Sequence, residues 1–291
     1  MRKIIKKVHL LLTSIGNLFR RGSIAVNVYQ EEKDGVILHK NWGDDLNVYL
    51  LKLITEKHIY LANKSVLHNK FRLKNYSCIG SIIGFYENKR TEIWGSGFIS
   101  NQSTIRTKPA KIHSVRGKLT RNMLLSQGID CPEKYGDPAL LVSRYYKAQP
   151  IGRYRLGIIP HYVDLSNEIV KRIISEREDV ILIDIAHYDK WTDVCDMVVS
   201  CDYIISSSLH GLIVSDSYGI PNIWARFSNK VCGGNFKFLD YFSSVEREEI
   251  EPILIDKIDV FDYIEIQIKD KTKCNAKFDL DAILSSCPFY H

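Results

Sequence analysis

The chain has 291 residues, of which 45% are hydrophobic and 25% charged, with a formal net charge of +6. That balance excludes collagenous and disordered classes, and the length is enough to bury more than one core, so two domains are expected. Six basic residues, Arg2, Lys3, Lys6, Lys7, Arg20 and Arg21, stand within residues 1–22 without an acid, and of the 40 basic residues they leave 34 to match the 34 acidic ones. The body is therefore near neutral and lacks the cationic surplus that nucleic-acid binding calls for.

In residues 2–21, Ile4, Val8, Leu11, Ile15 and Leu18 recur at helical spacing with lysines and small polar residues between them, which reads as a basic amphipathic helix. Such a helix lies in the headgroup region of an anionic membrane. Two other readings compete: a helix packed on the protein's own body, and a secretory signal, which is weakened by the polar residues that interrupt Val8 to Phe19 and by the want of a small-residue cleavage site. No uncharged apolar run approaches bilayer-spanning length.

Strand-like runs then alternate with helical patterns. Gly35–His39 reads as a strand, and the helix after it runs from Asp45 to Thr55. Further strand-like runs are Tyr76–Ile83, Thr91–Trp94 and Lys111–Val115, followed by a helix over Lys118–Leu125. Asn41-Trp-Gly-Asp-Asp45 places two carboxylates where a strand hands over to a helix, so Asp44 and Asp45 are either caps or chemical groups. Arg116, at a strand end, suits a bidentate grip on a carboxylate or phosphate, or else a surface ion pair. The loop-like Tyr146–Tyr154 marks a domain boundary, giving a basic helix at 1–22, one domain at 23–150, a second at 151–260 and an extension at 261–291 that closes back on the first.

The second half is more regular, with strands at Arg155–Tyr162, Val180–Ile185 and Tyr203–Ile205 and helices at Asp164–Glu176 and Tyr188–Val199. The pattern predicts an α/β fold with parallel sheets flanked by helices, and ligands bound beyond the carboxyl ends of the strands. After the last of these strands, Ser206-Ser-Ser-Leu-His-Gly211 opens a helix. Free N–H groups and the positive end of the helix dipole make such a turn an anion site, and His210 beside it suits proton transfer; the alternative is a serine-capped helix with a core histidine. Seven scattered cysteines without a C-x-x-C pair point to reduced thiols and a cytoplasmic protein, and neither they nor the nine histidines fall at metal-ligand spacing, so no metal is expected.

Taken together, Asn41-x-Gly-Asp44, Trp94-Gly-Ser-Gly97, Val115-Arg-Gly117 with Thr120-Arg121, Gly136-Asp-Pro138, Ser207-Ser-Leu-His-Gly211 and Asp216-Ser-Tyr-Gly-Ile-Pro-Asn222 resemble the polysaccharide pyruvyltransferase family over about residues 35–242. The resemblance implies two Rossmann-like domains in a GT-B-like arrangement. It also implies transfer of a pyruvyl group from phosphoenolpyruvate to two hydroxyls of a sugar in a capsule, exopolysaccharide or lipid-linked precursor, as a cyclic ketal, with no cofactor beyond that donor. In that frame His210 is the expected acid and Asp44 the expected base. Arg116, Ser206, Ser207, Ser208, Gly211, Arg226, Lys230 and Lys237 are the expected donor ligands, and Asn41, Asp45, Trp94, Ser96 and His161 face the acceptor. Ser208 departs from the arginine often found there in the family; Arg226 or Lys230 would supply the missing charge. Two other functions fit the same sequence: a glycosyltransferase using a nucleotide sugar, and a non-catalytic assembly protein at the membrane.

Overall fold

The computed structural model describes residues 12–17, 20–33, 36–255 and 276–290. It is an α/β fold built on two parallel five-stranded sheets. In the first half lie β1 (Ile24–Val26), the short antiparallel hairpin β2 (Glu32–Lys33) and β3 (Val36–Ile37), α1 (Trp42–Thr55), β4 (Ile59–Leu61), α2 (Val66–Phe71), β5 (Asn75–Ser77), β6 (Thr91–Trp94), β7 (Lys111–Ser114), α3 (Lys118–Ser126) and α4 (Val142–Tyr145). The second half continues with β8 (Tyr154–Ile159), α5 (Glu168–Glu176), β9 (Val180–Leu182), α6 (Trp191–Val199), β10 (Cys201–Ser206), α7 (Leu209–Ser217), β11 (Asn222–Arg226), α8 (Phe236–Phe242), β12 (Ile253–Leu254) and α9 (Leu280–Ser285).

The first sheet runs β4-β1-β5-β6-β7 and the second β9-β8-β10-β11-β12. Counted from the first strand of each half, both have the order 2-1-3-4-5, in which the winding reverses between strands one and three. Two such switch points therefore exist, one between β1 and β5 and one between β8 and β10. The strands are short and apolar because helices cover both faces, and a strand buried on both faces has no polar side to show. Val26, Ile93, Ile158 and Ile204 are all fully buried.

Helix α1 ties the halves together. Trp42, Leu46 and Leu50 on α1 share one core cluster with Val194 and Val198 of α6 and with Leu212 and Ile213 of α7. At its start the Trp42 N–H donates to Ile185 O at 3.0 Å and the Trp42 indole donates to Trp191 O at 2.7 Å. Residues after α9 return to the first sheet, where Phe289 packs edge-on to Tyr76 and Trp94 and the Trp94 indole donates to Ser286 Oγ.

The sequence patterns for β6, β7, α3 and the second-half strands coincide with elements to within a few residues, but Gly35–His39 supplies no strand to either five-stranded sheet. Among its described residues only Val36–Ile37 pairs as a strand, in the hairpin, and Ile37 and Leu38 stay exposed. The first strand is β1 instead, three residues long and too short to leave a periodic signal, and β4 escaped for the same reason. The strand-like Tyr263–Ile268 falls outside the described residues, as does most of the basic N-terminal pattern. The part described, residues 12–17, is helical and packs on the body through polar groups: Ser14 Oγ accepts from Val66 N–H, and His58 Nε2 meets Asn17 Oδ1 at 3.0 Å. Leu12 and Ile15 are left outward, 62% and 37% exposed.

Candidate active site

The two switch points face one another across a cavity of about 240 Å³. Every wall comes from chain that has just left the carboxyl end of a strand or is about to enter a helix. Tyr29 follows β1, Ser81 and Ile82 follow β5, and His161 and Tyr162 follow β8. Ser208, Leu209 and His210 follow β10, and Asn41 and Asp44 open α1. Tyr29 and Phe85, with ring centroids 6.5 Å apart, line the cavity too, and Tyr162 is sandwiched between His161 and His39 at 4.2 and 4.0 Å.

One end of the cavity is set up for an anion. Ser208 is the N-cap residue of α7 but makes no side-chain cap, so the first N–H groups of a nine-residue helix and the Ser208 hydroxyl itself have no partner among the described residues. Four N–H groups per helix start lack intrahelical acceptors, and their partial positive charge favours an anion there. Lys237, from α8, adds a full charge: it is only 8% exposed, lines the cavity and has no ion pair among the described residues. Burial, with Arg116 nearby, lowers its pKa to about 8. An ammonium left unpaired at that depth is costly, which marks it as a group awaiting a negative partner.

The groups able to move protons line the same cavity. His210 lies on the first turn of α7 with its ring against Gly43 of α1, so closely that a Cβ there would fall 1.9 Å from Nδ1. Burial, then the positive charges of Arg116 and Lys237, depress its pKa to about 3. Asp44 is buried one residue on from Gly43 and its Oδ2 accepts from Asn41 Nδ2 at 2.6 Å; burial, then Asp45, raise its pKa to about 8. At neutral pH the cavity thus holds a protonated carboxyl and a neutral imidazole. Desolvation disfavours whichever form is charged, so both groups rest neutral.

The same shift predicts a stability effect. Asp44 holds its proton in the folded state up to about pH 8 but ionises near 4 when unfolded, so it lowers stability increasingly as pH rises from about 4 to about 8. Asp44→Asn should therefore melt higher than the parent, with a gap that widens across that range. Melting curves at pH 5 and pH 8 check it, and a gap that narrows toward pH 8 would count against it.

Of the other expected site residues, Asn41, Ser208 and His161 also line the cavity; His161 is neutral, its pKa pushed down to about 3 by burial and Lys237, and its Nδ1 accepts the Val163 N–H. The rest lie elsewhere. Arg116 is fully buried behind the wall, where its guanidinium donates to Asp240 Oδ2 at 2.9 Å, to Ser81 Oγ at 2.5 Å and to Phe98 O at 2.7 Å, so it is a structural ion pair and not a free clamp. Ser206 bonds Ile159 O and Ser208 N–H, and Gly211 is there because a side chain would strike Ser206 Oγ. Ser207 donates to Asp164 and accepts from His161 N–H. Ser207 and Arg226 border a neighbouring cavity of about 160 Å³, where Arg226 meets Asn235 Oδ1, and Lys230 is exposed outside both. Trp94 is a core residue, Ser96 Oγ donates to Gly80 O, and Asp45 accepts from Tyr188 OH away from the cavity.

Three residues that matter here were not singled out from the sequence. Gly43 and Asp137 both sat inside quoted motifs without a role of their own, and Ser81 follows a strand end without any local signature. The Asp216 motif is structural: Asp216 accepts from Asn222, Tyr241 and Arg247, all buried. Among the described residues no group of three or more His, Cys, Asp or Glu side chains forms a metal site, the six cysteines are free thiols, and no helix is long and apolar enough to cross a membrane.

Paired parallel sheets thus hold an uncapped helix start, a buried unpaired lysine and two titratable groups between their switch points. A family model described as polysaccharide pyruvyl transferase matches residues 81–229. An uncharacterized protein of Acanthamoeba polyphaga mimivirus is 32% identical over 218 residues, 72% of this chain and 73% of that one. The chain belongs to the polysaccharide pyruvyl transferase family.

Proposed function

We propose that the protein transfers a pyruvyl group from phosphoenolpyruvate to two hydroxyls of a glycan, forming a pyruvate ketal and releasing phosphate. The observation that carries this reading is the unpaired Lys237 facing the uncapped start of α7 beside His210 and Asp44. The N–H groups of α7, the Ser208 hydroxyl and Lys237 take the donor's phosphate and carboxylate, and so supply the charge that the family's arginine would bring to position 208. Protonated Asp44 delivers its proton to the donor's methylene carbon, which turns C2 into an oxocarbenium-like electrophile. Neutral His210 takes the proton of the first sugar hydroxyl as its oxygen bonds to C2. The C2–O bond to phosphate then breaks, and the proton on His210 leaves with the phosphate. Attack by the second hydroxyl closes the ketal, and its proton returns to Asp44. Environments that push two titratable groups apart assign the acid and the base in this way.

Phosphate release from phosphoenolpyruvate, assayed against a panel of soluble and lipid-linked glycans, tests the activity; release with none of them, or binding of a nucleotide sugar in place of phosphoenolpyruvate, overturns it. Lys237→Met keeps the volume and removes the charge, so KM for phosphoenolpyruvate is expected to rise about 10–100-fold, the worth of one or two charge-assisted hydrogen bonds. An unchanged KM would remove Lys237 from the donor site.

A lipid-linked acceptor would be met at a membrane surface, and the described part of the N-terminal helix suits one. Leu12 and Ile15 point outward near exposed Arg20 and Arg21 while the polar Ser14 and Asn17 hold the body. Leu12→Glu with Ile15→Glu should cut co-sedimentation with anionic phospholipid vesicles at least about tenfold; equal sedimentation of parent and variant would place the membrane contact elsewhere or nowhere.

A further inference from the structure

His210 Nε2 and Asp137 Oδ2 lie 4.0 Å apart. Both are sealed from solvent, and neither has a hydrogen-bond partner. Buried polar atoms almost always find partners, and here two orphans of complementary type face each other. Asp137 is held firmly in place. Its Oδ1 accepts the Ala139 N–H at 3.0 Å at the start of the turn Pro138–Leu141, and Pro138 behind it packs so closely on Gly95 that a Cβ there would meet Pro138 Cδ at 2.1 Å. The carboxyl does not line the cavity, so it cannot touch a substrate; it reaches the chemistry only through the imidazole.

We propose that Asp137 is a positioning residue for His210: its Oδ2 accepts the Nε2–H as the pair closes, which leaves the lone pair of Nδ1, the ring atom beside Gly43, to take the proton of the acceptor hydroxyl. The carboxylate also stabilises the imidazolium that forms, the part an aspartate plays behind a histidine base in hydrolases. This rests on the reading of His210 as the base.

The charged groups that act on the ring are Arg116 and Lys237, whose positive charge opposes an imidazolium; Arg116 and its partner Asp240 also act on Asp137. Two cations and burial make His210 a weak base alone, and a facing carboxylate is what offsets them. Burial raises Asp137 to about 7. Below that pH the protonated carboxyl donates to Nε2, the ring carries its hydrogen on Nδ1 and the base is blocked.

Two measurements test the dyad separately from the overall reaction. Nitrogen-15 NMR of His210 in the substrate-free protein at pH 8 should show the hydrogen on Nε2, and in Asp137→Asn a shift toward the Nδ1–H form; an Nδ1–H ring in the parent overturns the proposal whatever the substrate proves to be. In the transfer assay kcat/KM should rise with pH through about 7, and Asp137→Asn should lower kcat by about 10²–10⁴ and lose that limb, while KM for phosphoenolpyruvate stays within error. A variant that keeps the parent's pH limb and a kcat within threefold would show that Asp137 only caps its turn.

Discussion

Gly43→Ala is expected to lower turnover by at least about 10², since a displacement on the order of 1 Å at a reacting group costs that much, while leaving the melting temperature close to the parent's. The added Cβ would sit 1.9 Å from His210 Nδ1 and 2.1 Å from Cγ, so the ring has to leave its place. Helix α1 itself should tolerate the change, because alanine is a better helix former than glycine by about 1 kcal/mol. Phosphate-release rates and thermal melts on the same preparation separate the two effects. Near-parental activity would mean that the ring position beside α1 is not the working one.

Arg116→Ala is expected to act in the opposite sense, on stability and not on the donor. The guanidinium and Asp240 are both fully buried, and Asp240 also accepts the Thr120 N–H and hydroxyl at 2.7 Å each. Removing one partner of a buried pair leaves an uncompensated charge and costs about 3–5 kcal/mol, a fall in melting temperature on the order of 10 °C for a chain of this size. KM for phosphoenolpyruvate in the folded fraction should not change. Pairing the substitution with Asp240→Asn should recover part of the loss, because the stranded carboxylate goes with it. A large rise in KM with unchanged stability would restore Arg116 as a donor ligand.

The two sheets and the chemical centre were legible in the sequence to different depths. Strands such as Val180–Leu182 and Cys201–Ser206 announced themselves because parallel strands buried on both faces are continuous apolar runs, and the serine turn with His210 followed from where β10 ends. Short strands left no such trace: Ile24–Val26 and Ile59–Leu61 are three residues each and gain their identity only by pairing, Ile59–Leu61 with Ile24–Val26 and Ile24–Val26 with Asn75–Ser77 as well. Residue type alone misled at Arg116. An arginine at a strand end suits an anion as well as it suits Asp240, and Asp240 lies 124 residues away in the chain, beyond the reach of any local pattern. The same blindness hid Asp137, whose turn-capping bond through Oδ1 is local while its second oxygen faces a helix far along the sequence. Protonation was the least accessible property, since the roles of Asp44 and His210 turn on how deeply each is buried.

The sharing of one apolar cluster by α1, α6 and α7 has a mechanical outcome. Halves that complete one another's apolar core depend on each other for stability, and neither, expressed by itself, should fold into a compact particle.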